Sequence, residues 1–164
     1  MKNLVIMIFM STVLIVEVIA VDKNFNLKVE EFEKTLIGTT PQYIVQKMLE
    51  GAKSSINKNI DLITKVNDVY VNNKDLSNII YKYTIDKNIL KKYMLTKYSN
   101  FQYTKEVEKK LMIQQGQVRN NAICNQPSMV AVLNKDVTIT TIYQYVNENK
   151  MINKITTNKK TCQK

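Results

Sequence analysis

Apolar positions along the 164-residue chain change their period several times, and each change marks an element. The first run, Leu4 to Val16, is 13 residues broken only by Ser11 and Thr12, preceded by Lys2 and closed by Glu17. At ~1.5 Å per residue it spans about 20 Å, short of the ~30 Å hydrocarbon core. A positive start, a short apolar run and the sequence Val18-Ile19-Ala20 predict a secretory signal over 1–20, cut after Ala20. An uncleaved anchor is the other reading of the same run. The chain would then begin Val21-Asp22-Lys23, with no cysteine at the cut, so no lipid anchor is expected.

Asn26 to Ile37 is a short amphipathic segment with Leu27, Phe32 and Leu36 at helical spacing, ending near Gly38. Thr40-Pro41 reads as a helix start, since proline at the first helical position gives up no helical hydrogen bond. Ile44, Met48, Ala52 and Ile56, flanked by Val45 and Leu49, form its buried stripe. The period then falls to two. Val66–Val71, a turn at Asn72-Asn73-Lys74-Asp75, and Ile79, Tyr81, Tyr83 and Ile85 in alternation predict a hairpin with one apolar, aromatic face.

Helical spacing returns after Asp86 with Ile89, Leu90, Tyr93 and Met94, and again after Thr104 with Val107, Leu111 and Val118 running toward Cys124. Pro127 restarts a short helix through Met129, Val130 and Leu133. A second hairpin follows: Val137, Ile139, Thr141, Tyr143 and Tyr145 alternate, Asn147–Lys150 turns the chain, and Met151–Thr157 returns. Ile142-Tyr143-Gln144-Tyr145 echoes Ile80-Tyr81-Lys82-Tyr83. The expected fold is therefore α+β: an antiparallel sheet of two hairpins, four to five strands, packed with about four helices. The expected organisation is a signal over 1–20, an N-terminal segment over 21–40 and one domain over 41–164. Aromatic residues at period two in strands are read as the core side of the sheet.

Without the signal the chain is about 144 residues, enough for one domain with a real core. Cys124 and Cys162 are the two cysteines, and in an exported chain they are read as one structural disulfide closing 39 residues. A metal pair or free thiols are the alternatives; two cysteines without histidine supply too few metal ligands. No metal or cofactor is expected. The net charge of +10 is carried almost wholly by lysine, in pairs such as Lys91-Lys92, Lys109-Lys110 and Lys159-Lys160. Lysine without arginine suits planar phosphate recognition poorly, and asparagine is also abundant, so a solvated surface is expected and no nucleic acid. Peripheral contact with anionic lipid stays open.

The catalytic inventory is thin. Histidine and tryptophan are absent, and Arg119 is the single arginine. Without histidine the usual nucleophile–base pairing is missing; a dyad of Ser54 with Lys53 or Lys58 stays open, and Glu30, Glu31, Glu33, Asp61, Asp68, Glu106 and Glu108 include no spacing that selects a carboxylate pair. Three glycines offer no phosphate-cradling loop. No enzyme is expected.

Ile56-Asn57, Asp61 and Thr64, then Ile80-Tyr81-Lys82-Tyr83-Thr84-Ile85, and finally Cys124, Pro127, Leu133, Val137, Tyr143, Tyr145 and Cys162 carry a resemblance over about two-thirds of the chain. In this order they resemble small exported proteobacterial proteins and lipoproteins: the α/β type II secretion pilotins of the AspS class and a Francisella-type periplasmic virulence factor. The resemblance implies a sheet flanked by helices whose groove takes a partner segment, in pilotins a secretin helix, held by apolar anchors. Val21 stands where a lipidated pilotin has its acylated cysteine. The expected function is thus a noncatalytic periplasmic binding or assembly factor with an envelope protein as partner. The alternative is an exported inhibitor or virulence protein acting on a host or competitor target. The sequence does not single out the residues that would touch the partner.

Overall fold

A short polar or proline residue begins the helices that start at 41, 87, 105 and 127. The computed structural model describes residues 23–97, 102–148 and 150–163. The expected signal over 1–20 lies outside the described residues. The elements run α1 (Lys23–Thr35), α2 (Pro41–Ala52), β1 (Thr64–Asn72), β2 (Asp75–Ile85), α3 (Lys87–Lys97), α4 (Lys105–Cys124), α5 (Pro127–Asn134), β3 (Thr138–Tyr145), β4 (Met151–Thr157) and α6 (Lys159–Cys162).

Thr40 caps α2 by accepting from the Tyr43 N–H at 3.2 Å, with Pro41 in the first turn. Asp86 accepts from the Asn88 and Ile89 N–H groups, each at 2.9 Å, to start α3. Thr104 does the same for α4 through the Val107 N–H at 3.2 Å. The stripe expected to keep α2 helical to Ile56 ends earlier. The helix stops at Ala52, tightens into a 3-10 turn over Lys53–Ser55, and Asn57 adopts φ 67°. Asparagine tolerates that left-handed backbone. The reversal lets the Asn57 N–H donate to the Val66 carbonyl at 2.8 Å, laying this segment beside β1.

The four strands form one sheet in chain order, β1-β2-β3-β4. Each hairpin is antiparallel, with Val66 opposite Tyr83 in the first and Thr141 opposite Ile155 in the second. The hairpins meet in a parallel pair, β2 with β3, so the sheet as a whole is mixed. The reason is the crossover: α3, α4 and α5 carry the chain from the end of β2 back to the edge where β2 began, and a strand re-entering there must run parallel. The Tyr-containing echo is also out of step in space, since Tyr83 pairs with Tyr143 and Ile85 with Tyr145. Against the expected four or so helices, the 41–164 domain has five among its described residues; the extra one is the single-turn α6.

One sheet face makes the core. Val66, Val69, Ile79, Tyr83, Ile139, Tyr143 and Ile155 pack with Ile44 and Val45 of α2, Leu111 and Met112 of α4, and Leu133 of α5. Tyr83 stacks on Tyr143 with ring centroids 5.3 Å apart and on Tyr81 at 6.4 Å, so the tyrosine stripe is core packing, as its alternation predicts. The opposite face carries Tyr70, Ile80, Lys82 and Ile142, exposed or half-buried and outside the core cluster.

Two features hold α4 against β4. Gly116 meets Ile155 so closely that a Cβ there would lie 3.3 Å from its Cγ1. Cys124, at the C-terminal end of α4, is disulfide-bonded to Cys162 of α6, with Cα atoms 5.2 Å apart. Closing a loop of that size removes about 4 kcal/mol of unfolded-state entropy by the chain-entropy estimate.

Candidate functional site

Thr104 fixes where α4 begins, and that start sets which residues share its exposed flank. Lys105, Lys109, Met112 and Ile113 recur at three-to-four spacing on the side facing the turn end of the second hairpin. Met151, Ile152 and Asn153 of β4 face them across a groove of about 570 Å³. The Asn153 side-chain amide donates to the Met112 carbonyl at 2.7 Å and ties the two walls together.

The groove has an apolar interior and a basic edge. Met112 and half-buried Ile152 form the floor, while Ile113 and Met151 are each 53% exposed on the walls. Lys87, Lys105, Lys109 and Lys150 stand around it. The two acids beside them are engaged within the protein. Glu108 accepts from the Tyr145 hydroxyl, and Glu148 lies 3.9 Å from Lys87. Lys105, Lys109 and Lys150 make no ion pair among the described residues.

A half-buried hydrogen-bond chain lies at the end of the groove. Tyr145 donates to Glu108, and the Tyr103 hydroxyl is 3.0 Å from that of Tyr145, so Tyr103 is the donor to it. Lys87 lies 4.5 Å from the Tyr145 ring centroid and Lys91 lies 5.2 Å from that of Tyr103. Burial, reinforced by the bond to Glu108, pushes the Tyr145 hydroxyl well above the ordinary tyrosine range; burial likewise raises Tyr103. Both phenols are neutral at physiological pH.

The residues singled out from sequence fall elsewhere. Cys124 and Cys162 come together as read. The Ser54 hydroxyl donates to the Gly51 carbonyl at 3.3 Å, and no hydrogen bond joins it to Lys53 or Lys58 among the described residues. Asp61 Oδ1 accepts from the Ile63 and Thr64 N–H groups at 2.7 Å each, holding a turn. Of the lysine pairs, Lys109 edges the groove and Lys110 pairs with Glu106 at 2.9 Å. No group of three potential metal ligands occurs among the described residues, and no helix among them is long and apolar enough to cross a membrane. Sequence reasoning missed the groove itself; the signal for it was Lys105 and Lys109 preceding Met112 and Ile113 on one helical flank.

No protein-family model and no curated protein matches the chain. Among solved structures, the fold is similar to that of PA3611 from Pseudomonas aeruginosa, a protein thought to be secreted. The two are 11% identical, with a TM-score of 0.50 covering 83% of this chain and 96% of that one. At that identity the likeness is one of fold.

Proposed function

We propose that the protein is an exported, noncatalytic binding factor that holds an acidic, amphipathic segment of an envelope protein in the groove between α4 and β4. The observation that carries this reading is the groove's composition. Ile113 and Met151 stand half exposed above an apolar floor; among the described residues Lys105, Lys109 and Lys150 have no acidic partner, while Glu108 is bonded to Tyr145 and Glu148 lies against Lys87. An amphipathic helix laid there would bury its apolar residues and place carboxylates against Lys105, Lys109 and Lys150. A volume of about 570 Å³ falls within the ~300–1,000 Å³ of sites that enclose ligands of several side chains' bulk.

Export to the periplasm belongs to the same reading, supported by the signal-like run over 4–16, by the disulfide, which oxidising compartments maintain, and by a fold shared with a protein thought to be secreted. Pilotin-like handling of a secretin helix is its most specific form; the neutral tyrosines, the engaged Ser54 and the missing histidine favour binding over chemistry.

The test is in-cell photocrosslinking from Ile113 or Met151, with Leu62 and Leu76, exposed elsewhere at 75% and 55%, as comparison positions. The expected result is a groove-specific adduct to an envelope protein whose crosslinked segment is acidic and amphipathic and binds as an isolated peptide. The same adducts from all four positions, or a crosslinked segment that is basic, would overturn the proposal.

A further inference from the structure

The C-terminal half of α4 faces a second, smaller cavity of about 50 Å³, lined by Gln115, Arg119, Tyr83, Tyr143, Asp61 and Thr64. Two polar atoms of these lining residues are buried and have no hydrogen-bond partner among the described residues. They are the side-chain oxygen of Gln115, a residue 9% exposed, and Nε of Arg119 one turn further along the same helix. Most buried polar atoms in folded proteins are partnered, so an unmatched acceptor and an unmatched donor on two residues that line one cavity point to a ligand that supplies both.

Charge narrows the class. Arg119 is held in place by donating Nη2 to the Tyr83 hydroxyl at 3.3 Å, with its guanidinium 5.9 Å from that ring's centroid. Asp61 lines the cavity as well, and the two charges offset one another, so neither an anion nor a cation is favoured there. Burial holds the Tyr143 hydroxyl neutral despite Arg119 nearby. Room for about three or four non-hydrogen atoms follows from the volume one water needs. Exposed Ile60 and half-buried Val118 also line the cavity and give an attached carbon chain apolar contact.

We propose that this cavity binds a primary carboxamide, its carbonyl oxygen accepting from Arg119 Nε–H and its N–H group donating to Gln115 Oε1. The group is either a free small amide or the end of an asparagine or glutamine side chain on a partner. The site is independent of the groove between α4 and β4.

Because Arg119 is the chain's single arginine, its Nε–H gives one assignable NMR signal. Acetamide titrated into the full chain should move that signal and the Gln115 side-chain amide saturably. Acetate, and dimethylacetamide, which lacks the N–H donor, should bind at least tenfold more weakly. Arg119→Lys should abolish the acetamide response with the backbone spectrum otherwise retained; if that variant does not fold, Gln115→Met must abolish it instead. A short glutamine-containing peptide binding more than tenfold tighter than acetamide assigns the site to a partner side chain, and equal affinity assigns it to a free amide. Equal responses to all three small probes, or no saturable shift, as water alone in the cavity would give, overturns the proposal.

Discussion

The two halves of α4 are one continuous helix with opposite tasks. From Gly116 to Cys124 it is pinned: Gly116 lies against Ile155, the Thr157 hydroxyl donates to the Asn120 side-chain oxygen at 2.5 Å, and Cys124 is covalently tied to α6. From Lys105 to Ile113 it is held chiefly by its buried flank, by Asn153 and by the Tyr145–Glu108 bond, leaving Ile113 and its lysines to solvent. The contrast supports placing the proposed recognition on the exposed half. Apolar side chains can stay exposed on one half because the other half fixes the helix without them, and a preorganised wall loses little entropy when a partner docks.

Removing the covalent pin is the largest perturbation of this contrast. The Cys124→Ala, Cys162→Ala double variant should lose about 4 kcal/mol in denaturant unfolding. Its hydrogen exchange should rise first in α6 and the last turns of α4. Unchanged stability would mean that packing alone holds this end. Overfilling the close approach comes next: Gly116→Leu forces Ile155 aside and should cost about 1–3 kcal/mol, read from the same unfolding curves. Glu108→Ala leaves the buried Tyr145 hydroxyl without its carboxylate and should cost roughly 1–3 kcal/mol, with loss of order in the groove wall seen as faster exchange at Tyr103 and Tyr145.

The tyrosines give a pH signature. Their pKa values are raised in the folded state, so their contribution is complete below the ordinary tyrosine pKa of about 10 and is lost as pH climbs above it, where only the unfolded chain ionises. Stability should therefore fall steeply above about pH 10, and Tyr143→Phe should flatten that fall, measured by denaturant midpoints across pH 8 to 11. The smallest expected effect on stability is at the groove lysines: Lys105→Glu with Lys109→Glu should change it by no more than about 0.5 kcal/mol, because both side chains are exposed and make no ion pair among the described residues. The same pair should weaken binding of the proposed acidic partner by tenfold or more, which would separate the proposed recognition half from the pinned half.

Local signals made most of the fold legible. Thr40-Pro41, Asp86, Thr104 and Pro127 start helices as their chemistry dictates, and alternation at 79–85 and 137–145 gives the strands and their buried tyrosines. The pairing of Cys124 with Cys162 had one solution once export was assumed. The parallel junction of β2 and β3 was harder to read, because it depends on where three helices return the chain and not on any local pattern. The early end of α2 hid for a related reason: Ile56 fits the helical stripe, yet Asn57 pairs with Val66, a contact made only in the folded sheet. The groove and the Arg119 cavity each combine residues from distant segments. Lys105 reads as surface charge and Arg119 as an ordinary cation until β4 and the 60–64 turn are placed beside them.

The most direct measurement of the central claim is a fluorescence titration of the disulfide-intact protein with a designed acidic amphipathic helix, alongside a scrambled peptide of identical composition. The expected outcome is binding by the ordered peptide alone, weakened by salt and abolished by Ile113→Asp with the fold retained. Equal binding of the scrambled peptide, or indifference to Ile113→Asp, would contradict the assignment of the groove as a partner-binding site.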